Sequence, residues 1–129
     1  MKDTQLSVYV ANRPGELARI AGCLARFGAN IKAISVADAT DYGVVRMIVN
    51  EPGRAGAALR EEGYGFVTTE VVVAEVADRP GALSEVCGKL ADAGINIRYV
   101  YATVTPGGGV ATAVFSTEDN DRAEQMITG

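Results

Sequence analysis

Apolar positions along this chain follow two periods that take turns. LSVYVA, residues 6–11, begins as an apolar/polar alternation rich in strand-forming residues, which predicts a strand. Past Gly15 the spacing changes, and Leu17, Ile20, Ala21 and Leu24 fall on one stripe of a helix. Two more strand patterns follow, IKAISVA (31–37) and VVRMIV (44–49), joined by the polar turn DATDYG. A second helical stretch opens near Pro52. The same sequence of periods then recurs: a helix with Leu83, Val86, Cys87 and Leu90 on its stripe, strands IRYVYATV (97–104) and VATAVF (110–115) joined by TPGGG, and a helix near Asn120.

The recurrence is a duplication. Residues 12–36 aligned with 78–102 share ten of 25 positions: Arg13, Pro14, Gly15, Leu17, Gly22, Leu24, Ala25, Gly28, Asn30 and Ile31 reappear 66 positions later. Each copy reads strand, helix, strand, strand, helix, strand. That is a ferredoxin-like βαββαβ unit, an α+β fold with two helices on one face of an antiparallel sheet. The expected units are 1–69 and 70–129. Gly28 and Gly94 stand where a helix takes a left-handed C-terminal residue.

Two places break the symmetry. Tyr64 to Ala77 must hold both the last strand of one unit and the first of the next, leaving no length for a flexible linker, so rigid docking is expected. After Met126 and Ile127 only Thr128 and Gly129 remain. The second unit is therefore expected to lack its last strand, exposing a sheet edge that another chain or segment would cover.

Composition narrows the chemistry. The net charge is −4, from 12 basic and 16 acidic residues without a basic stripe, which disfavours nucleic acid. No apolar run reaches the roughly 20 residues of a membrane span, and the polar start is no signal peptide, so a cytoplasmic protein is expected. Histidine is absent, which removes the commonest general base and metal ligand. No catalytic residue, metal site or cofactor is expected. Cys23 and Cys87 match no metal or disulfide spacing. By alignment, Cys87 belongs on the apolar stripe and should be buried, whereas Cys23 pairs with Lys89 and should be more exposed. Gly107-Gly108-Gly109 precedes a strand and lacks a phosphate loop's Lys-Ser/Thr. The carboxylates of Asp38 and Asp41 read as turn residues rather than a metal site.

The doubled R-P-G turn carries the functional question. Asn12 or Asp78 can accept hydrogen bonds from the first helical amides. Pro14 and Pro80 set φ near −65° where a missing donor costs nothing. Gly15 and Gly81 let a ligand approach amides at the positive end of a helix, a setting suited to a carboxylate. The same turn also serves simply to start a helix.

The text V-A-N-R-P-G-E-L-A-R-I (10–20) and V-A-D-R-P-G-A-L-S-E-V (76–86), followed by G-A-N-I (28–31) and G-I-N-I (94–97), resembles the ACT domain, a small-molecule-binding regulatory module of amino-acid metabolism. The resemblance covers nearly the whole chain. It implies a stand-alone, non-catalytic tandem protein, a homodimer, binding an amino-acid effector where units meet and signalling to a regulated enzyme. Carried over by position, the implied ligand-facing residues are Asn12, Arg13, Gly15, Glu16, Leu17, Asn30 and Ile31. In the second unit they are Asp78, Arg79, Gly81, Ala82, Leu83, Asn96 and Ile97. Amides near Gly15 or Leu17 would hold the carboxylate, Asn12 or Asp78 the ammonium, and strand residues 31–37 and 97–103 would shape the side-chain pocket. A structural or protein-interaction module without a ligand is the alternative, and an enzyme is the third reading. The Asn12/Asp78 difference predicts unequal sites.

Overall fold

The computed structural model describes residues 1–38, 41–104 and 106–128. Part of the 38–43 turn (Ala39, Thr40), Thr105 of the second hairpin and Gly129 lie outside them. In chain order the elements are β1 (Lys2–Ala11), α1 (Glu16–Arg26), β2 (Ile31–Asp38), β3 (Tyr42–Val49), α2 (Pro52–Glu61), β4 (Gly65–Ala77), α3 (Ala82–Asp92), β5 (Ile97–Val104), β6 (Val110–Thr117) and α4 (Asn120–Thr128). The mixed α+β class and the strand–helix order agree with the sequence pattern.

Contacts divide the chain into two compact units, Thr4–Thr69 and Met1–Asp3 with Glu70–Gly129. The division falls inside β4, which is one uninterrupted strand. In the first unit the strand order is β2-β3-β1, with the start of β4 beside β1. Pairing is antiparallel, and Leu6 opposes Met47, which opposes Ile34, while Val8 opposes Val45, which opposes Val36. Opposed residues share a face, so these side chains point to one side of the sheet. There Leu6, Val8, Val45 and Met47 join Ile20, Leu24, Ala55 and Leu59 of the helices in a single core.

The second unit repeats this order as β5-β6-β4. Val72 and Val100 both oppose Phe115, and Ala74 and Ala102 both oppose Ala113. Val72, Ala113 and Phe115 pack with Leu90 and Ala123 of the helices. No strand follows α4 among the described residues, as expected. The edge of β4 is nonetheless occupied: the Met1 amine donates to Val73 O at 2.8 Å, and Val73 N donates to Met1 O at 2.7 Å. That reciprocal exchange is an antiparallel hydrogen-bonded pair. Lys2 N, donating to Glu124 Oε2 at 2.8 Å, ties the same segment to α4. Residues 1–3 thus stand where the fourth strand belongs.

In α3 the expected Val86, Cys87 and Leu90 face inward, with Leu83 exposed, but the stripe of α1 is in a different phase from the one expected. In α1 the buried residues are Glu16, Ile20, Cys23 and Leu24, whereas Leu17 and Ala21 are exposed. α2 is the cause, since it lies against the Cys23 side and the Cys23 thiol reaches Ala58 O at 3.5 Å. The cysteine expectation is therefore reversed: Cys23 is buried and Cys87 half-buried. The left-handed glycines behave as expected. Gly28 (φ +74) and Gly94 (φ +73) end α1 and α3, donating to Ala25 O and Ala91 O.

Candidate functional site

Each R-P-G turn joins the end of a strand to the start of a helix, β1 to α1 and β4 to α3. Beside each turn lies a cavity, one in each unit. In the first unit it measures about 170 Å³ and is lined by residues including Val10, Asn12, Arg13, Glu16, Leu17, Val36 and Val45. In the second it measures about 330 Å³, and its lining includes Val76, Asp78, Arg79, Leu83, Ala102, Ala111 and Ala113. These sets correspond at the repeat offset: Val10 with Val76, Asn12 with Asp78, Leu17 with Leu83, Val36 with Ala102, Val45 with Ala111. Valine in the first unit becomes alanine in the second at the last two positions, which accounts for part of the extra volume.

The rims differ in charge and in commitment. Glu16 is only 6% exposed, and its Oε1 accepts from Arg13 Nε at 2.8 Å with Arg19 Nη1 at 3.5 Å. Its other oxygen accepts from the Tyr64 hydroxyl at 3.4 Å. The Arg13 hydrogen bond holds the Glu16 carboxyl below its usual value against the opposing pull of burial, and the Arg13 and Arg19 charges and Tyr64 assist. Asn12 Nδ2 donates to Asp38 Oδ1 at 2.7 Å across the mouth of the cavity.

In the second unit Ala82 replaces Glu16, so no carboxylate enters. Arg79 turns outward, donating from Nη2 to Glu85 at 2.9 Å, with both side chains more than half exposed. That bond keeps the Glu85 carboxyl below its usual value. The Asp78 side chain has no partner among the described residues.

Gly15 and Gly81 are helix N-caps at φ +89 and +86, and no atom lies within 4 Å of where a Cβ would sit. Left-handed backbone by itself requires glycine at both positions, with no neighbouring protein atom adding to the requirement. The N-cap residues of α1 and α3 are these glycines, without a side-chain cap, and Asn12 Nδ2 donates to Asp38 Oδ1.

Residues 1–129 match the family model described as the ACT domain pair. The chain belongs to that family. Among solved structures it resembles protein BT0572 from Bacteroides thetaiotaomicron, at 30% identity and a TM-score of 0.92, covering 99% of this chain and 88% of that one. The regulatory subunit of aspartate kinase from Thermus thermophilus, in its ligand-free form, shares the fold at 16% identity and a TM-score of 0.73, over 97% and 90% of the two chains. Aspartokinase III of E. coli, in complex with aspartate and ADP, also contains the fold (16% identity, TM-score 0.65, 98% of this chain and 30% of that one). No curated protein matches the sequence.

Of the positions carried over from the ACT pattern, the structure gathers Asn12, Arg13, Glu16 and Leu17 at one cavity and Asp78, Arg79 and Leu83 at the other. Gly15, Gly81 and Ala82 belong to the same turns without lining either cavity. Asn30, Ile31, Asn96 and Ile97 are elsewhere. They stand at the start of β2 and β5, whose first cavity-lining residues, Val36 and Val100, lie about 17 Å and about 10 Å further along at the usual strand rise. There Asn30 N donates to Asn50 Oδ1 and Asn96 N to Glu118 Oε1, and both isoleucines pack on the cores. Sequence reasoning missed the floor contributed by β3 and β6 (Val45, Ala111, Ala113), and the Arg19–Tyr64 cage around Glu16. The signal for the floor was available: core-facing positions two apart, smaller in one copy than in the other.

Proposed function

We propose that this ACT domain pair is a non-catalytic regulatory protein that binds a small amino acid in the cavity beside an R-P-G turn. The observation that carries the reading is the second unit's cavity. Its floor is aliphatic, its volume of about 330 Å³ is at the small end for a ligand pocket, and Asp78 and Arg79 stand together at its rim. A zwitterion needs that combination: an anion for its ammonium, a cation and helix-start amides for its carboxylate, and an apolar recess for its side chain. Arg79, Gly81, Ala82 and Leu83 would serve the carboxylate, Asp78 the ammonium, and Leu83 with β5 the side chain. Asn12, Arg13, Gly15, Glu16 and Leu17 are the equivalents in the first unit. The shared fold of an aspartate kinase regulatory subunit favours a regulatory role, exercised in the cytoplasm as a homodimer acting on a partner enzyme.

Screening the twenty amino acids by thermal shift tests the reading. A ligand that binds only the folded protein, present at 100 times its dissociation constant, stabilises by about 2.7 kcal/mol and raises Tm accordingly. No shift with any of them at millimolar concentration refutes it.

A further inference from the structure

The two cavities are copies in position but not in state. The first already holds a carboxylate: Glu16, nearly buried, occupies the place beside Arg13 where an incoming carboxylate would dock, and it is held by Arg13, Arg19 and Tyr64 together. Displacing it would strand a buried charge away from three partners, which is costly. Asn12, where the second unit has the anion Asp78, is a neutral amide, and its Nδ2 already donates to Asp38 Oδ1. In the second unit the corresponding positions are open. Ala82 brings no carboxylate, and the Arg79–Glu85 pair is a surface contact that water and salt screen, so Arg79 can change partners at little cost. The Asp78 side chain is at the rim without a partner among the described residues.

Resting on the functional reading above, we propose that Glu16 is a built-in occupant of the first cavity, so that each chain takes a single ligand, in the second unit, and that this ligand is an α-amino acid with an uncharged aliphatic side chain. The side-chain class follows from the floor. Val76, Val100, Ala102, Ala111 and Ala113 offer no charged or amide group to a polar side chain, and a polar group placed among them would lose its water without compensation. Tyr101, also in the lining, alternates with Val100 and Ala102 along β5 and stacks its ring on Tyr99. The rim supplies one anion and one cation, which an α-amino and an α-carboxylate group use up.

Isothermal titration calorimetry of the full chain with L-valine, L-leucine and L-isoleucine, against L-aspartate and L-lysine, tests both parts. The expected result is one site per chain for at least one aliphatic amino acid and none for the charged pair. Arg79→Gln, an exposed change, should weaken that binding at least tenfold. Ala82→Glu, which gives the second unit the first unit's occupant, should abolish it, with circular dichroism checking that the variant folds. Two sites per chain in the unaltered protein overturn the proposal. So does a single site lost in Arg13→Gln but kept in Arg79→Gln, or preference for aspartate or lysine. Binding of no amino acid at all defeats instead the functional reading on which the proposal stands.

Discussion

Gly81 and Gly88 sit seven residues apart, one capping α3 and one inside it, and the same substitution should act on them with opposite sign. Gly81 has φ +86, and a Cβ there would touch nothing. An alanine at this position therefore meets no packing clash, only the left-handed backbone, which costs roughly 1–2 kcal/mol for an L-residue. Alanine also restricts the unfolded chain, which returns about 0.4–1 kcal/mol. The net expectation is a loss of about 1 kcal/mol. Gly88 lies in the helix, is exposed, and likewise has no atom within 4 Å of an added Cβ. Alanine there keeps right-handed geometry and should gain roughly 0.5–1 kcal/mol. Urea unfolding followed by circular dichroism and by tyrosine fluorescence measures both. With a slope of about 2 kcal/mol/M, the midpoints should separate by about 0.8–1 M on opposite sides of the parent protein. D-alanine introduced at position 81 by semisynthesis should remove the penalty, because its mirror-image preference matches φ +86. Equal signs for the two L-alanine variants, or a D-alanine variant no better than its L-counterpart, would refute the backbone explanation of the R-P-G glycine.

Other outcomes follow from the same structure. Glu16→Gln should destabilise the protein at neutral pH. Because the folded-state pKa of Glu16 is lowered, its contribution is complete above the ordinary glutamate value and disappears as pH falls through the lowered one. The stability gap between parent and variant should thus close on acidification; a gap that widens towards low pH is the contrary result. Cys23 is buried and its thiol pKa is raised, chiefly by desolvation, whereas Cys87 is half-buried. A thiol reagent should therefore titrate one group per native chain and the second only after denaturation, and Cys87→Ser should remove the fast group. Two fast thiols would contradict the packing of α2 over Cys23.

What could be read from the sequence was what is local. Strand and helix periods, the left-handed glycines at 28 and 94 and the duplicated order depend on neighbours a few positions away. The helix phase did not, because the burial of Cys23 is decided by Ala58, 35 residues later, while its counterpart Lys89 remains exposed. The Asn12–Asp38 bond was hidden for the same reason, since Asp38 stands 26 residues on. At the candidate site, the turn residues were legible because R-P-G occurs twice. The cavity floor was legible only as smaller residues in the second copy, Ala111 and Ala113 against Val45 and Met47, and these gain meaning once the sheet brings them into one cavity with Leu83. Glu16 against Ala82 was visible as a mismatch in the alignment, but only the cage of Arg13, Arg19 and Tyr64 gives it a meaning.

The pairing of Met1 with Val73 bears on how the polypeptide acquires its fold. Thr4–Thr69 is a single stretch, able to complete its own strands as soon as β4 begins. The other unit is stitched from two stretches, and its closing hydrogen bonds join residues 72 positions apart. Loop-closure entropy grows slowly with length, about 0.6 kcal/mol per doubling, so this arrangement costs little at equilibrium, but contacts so distant in sequence form late. Since β1 runs without interruption from Lys2 to Ala11, ordering of Thr4–Ala11 presents the first three residues already extended. Severing the backbone between Thr69 and Glu70 would return neither half intact: one piece would carry a strand segment it does not use, and the other a bare edge at Val73. The repeat copied in the sequence and the body that folds are offset from one another by three residues.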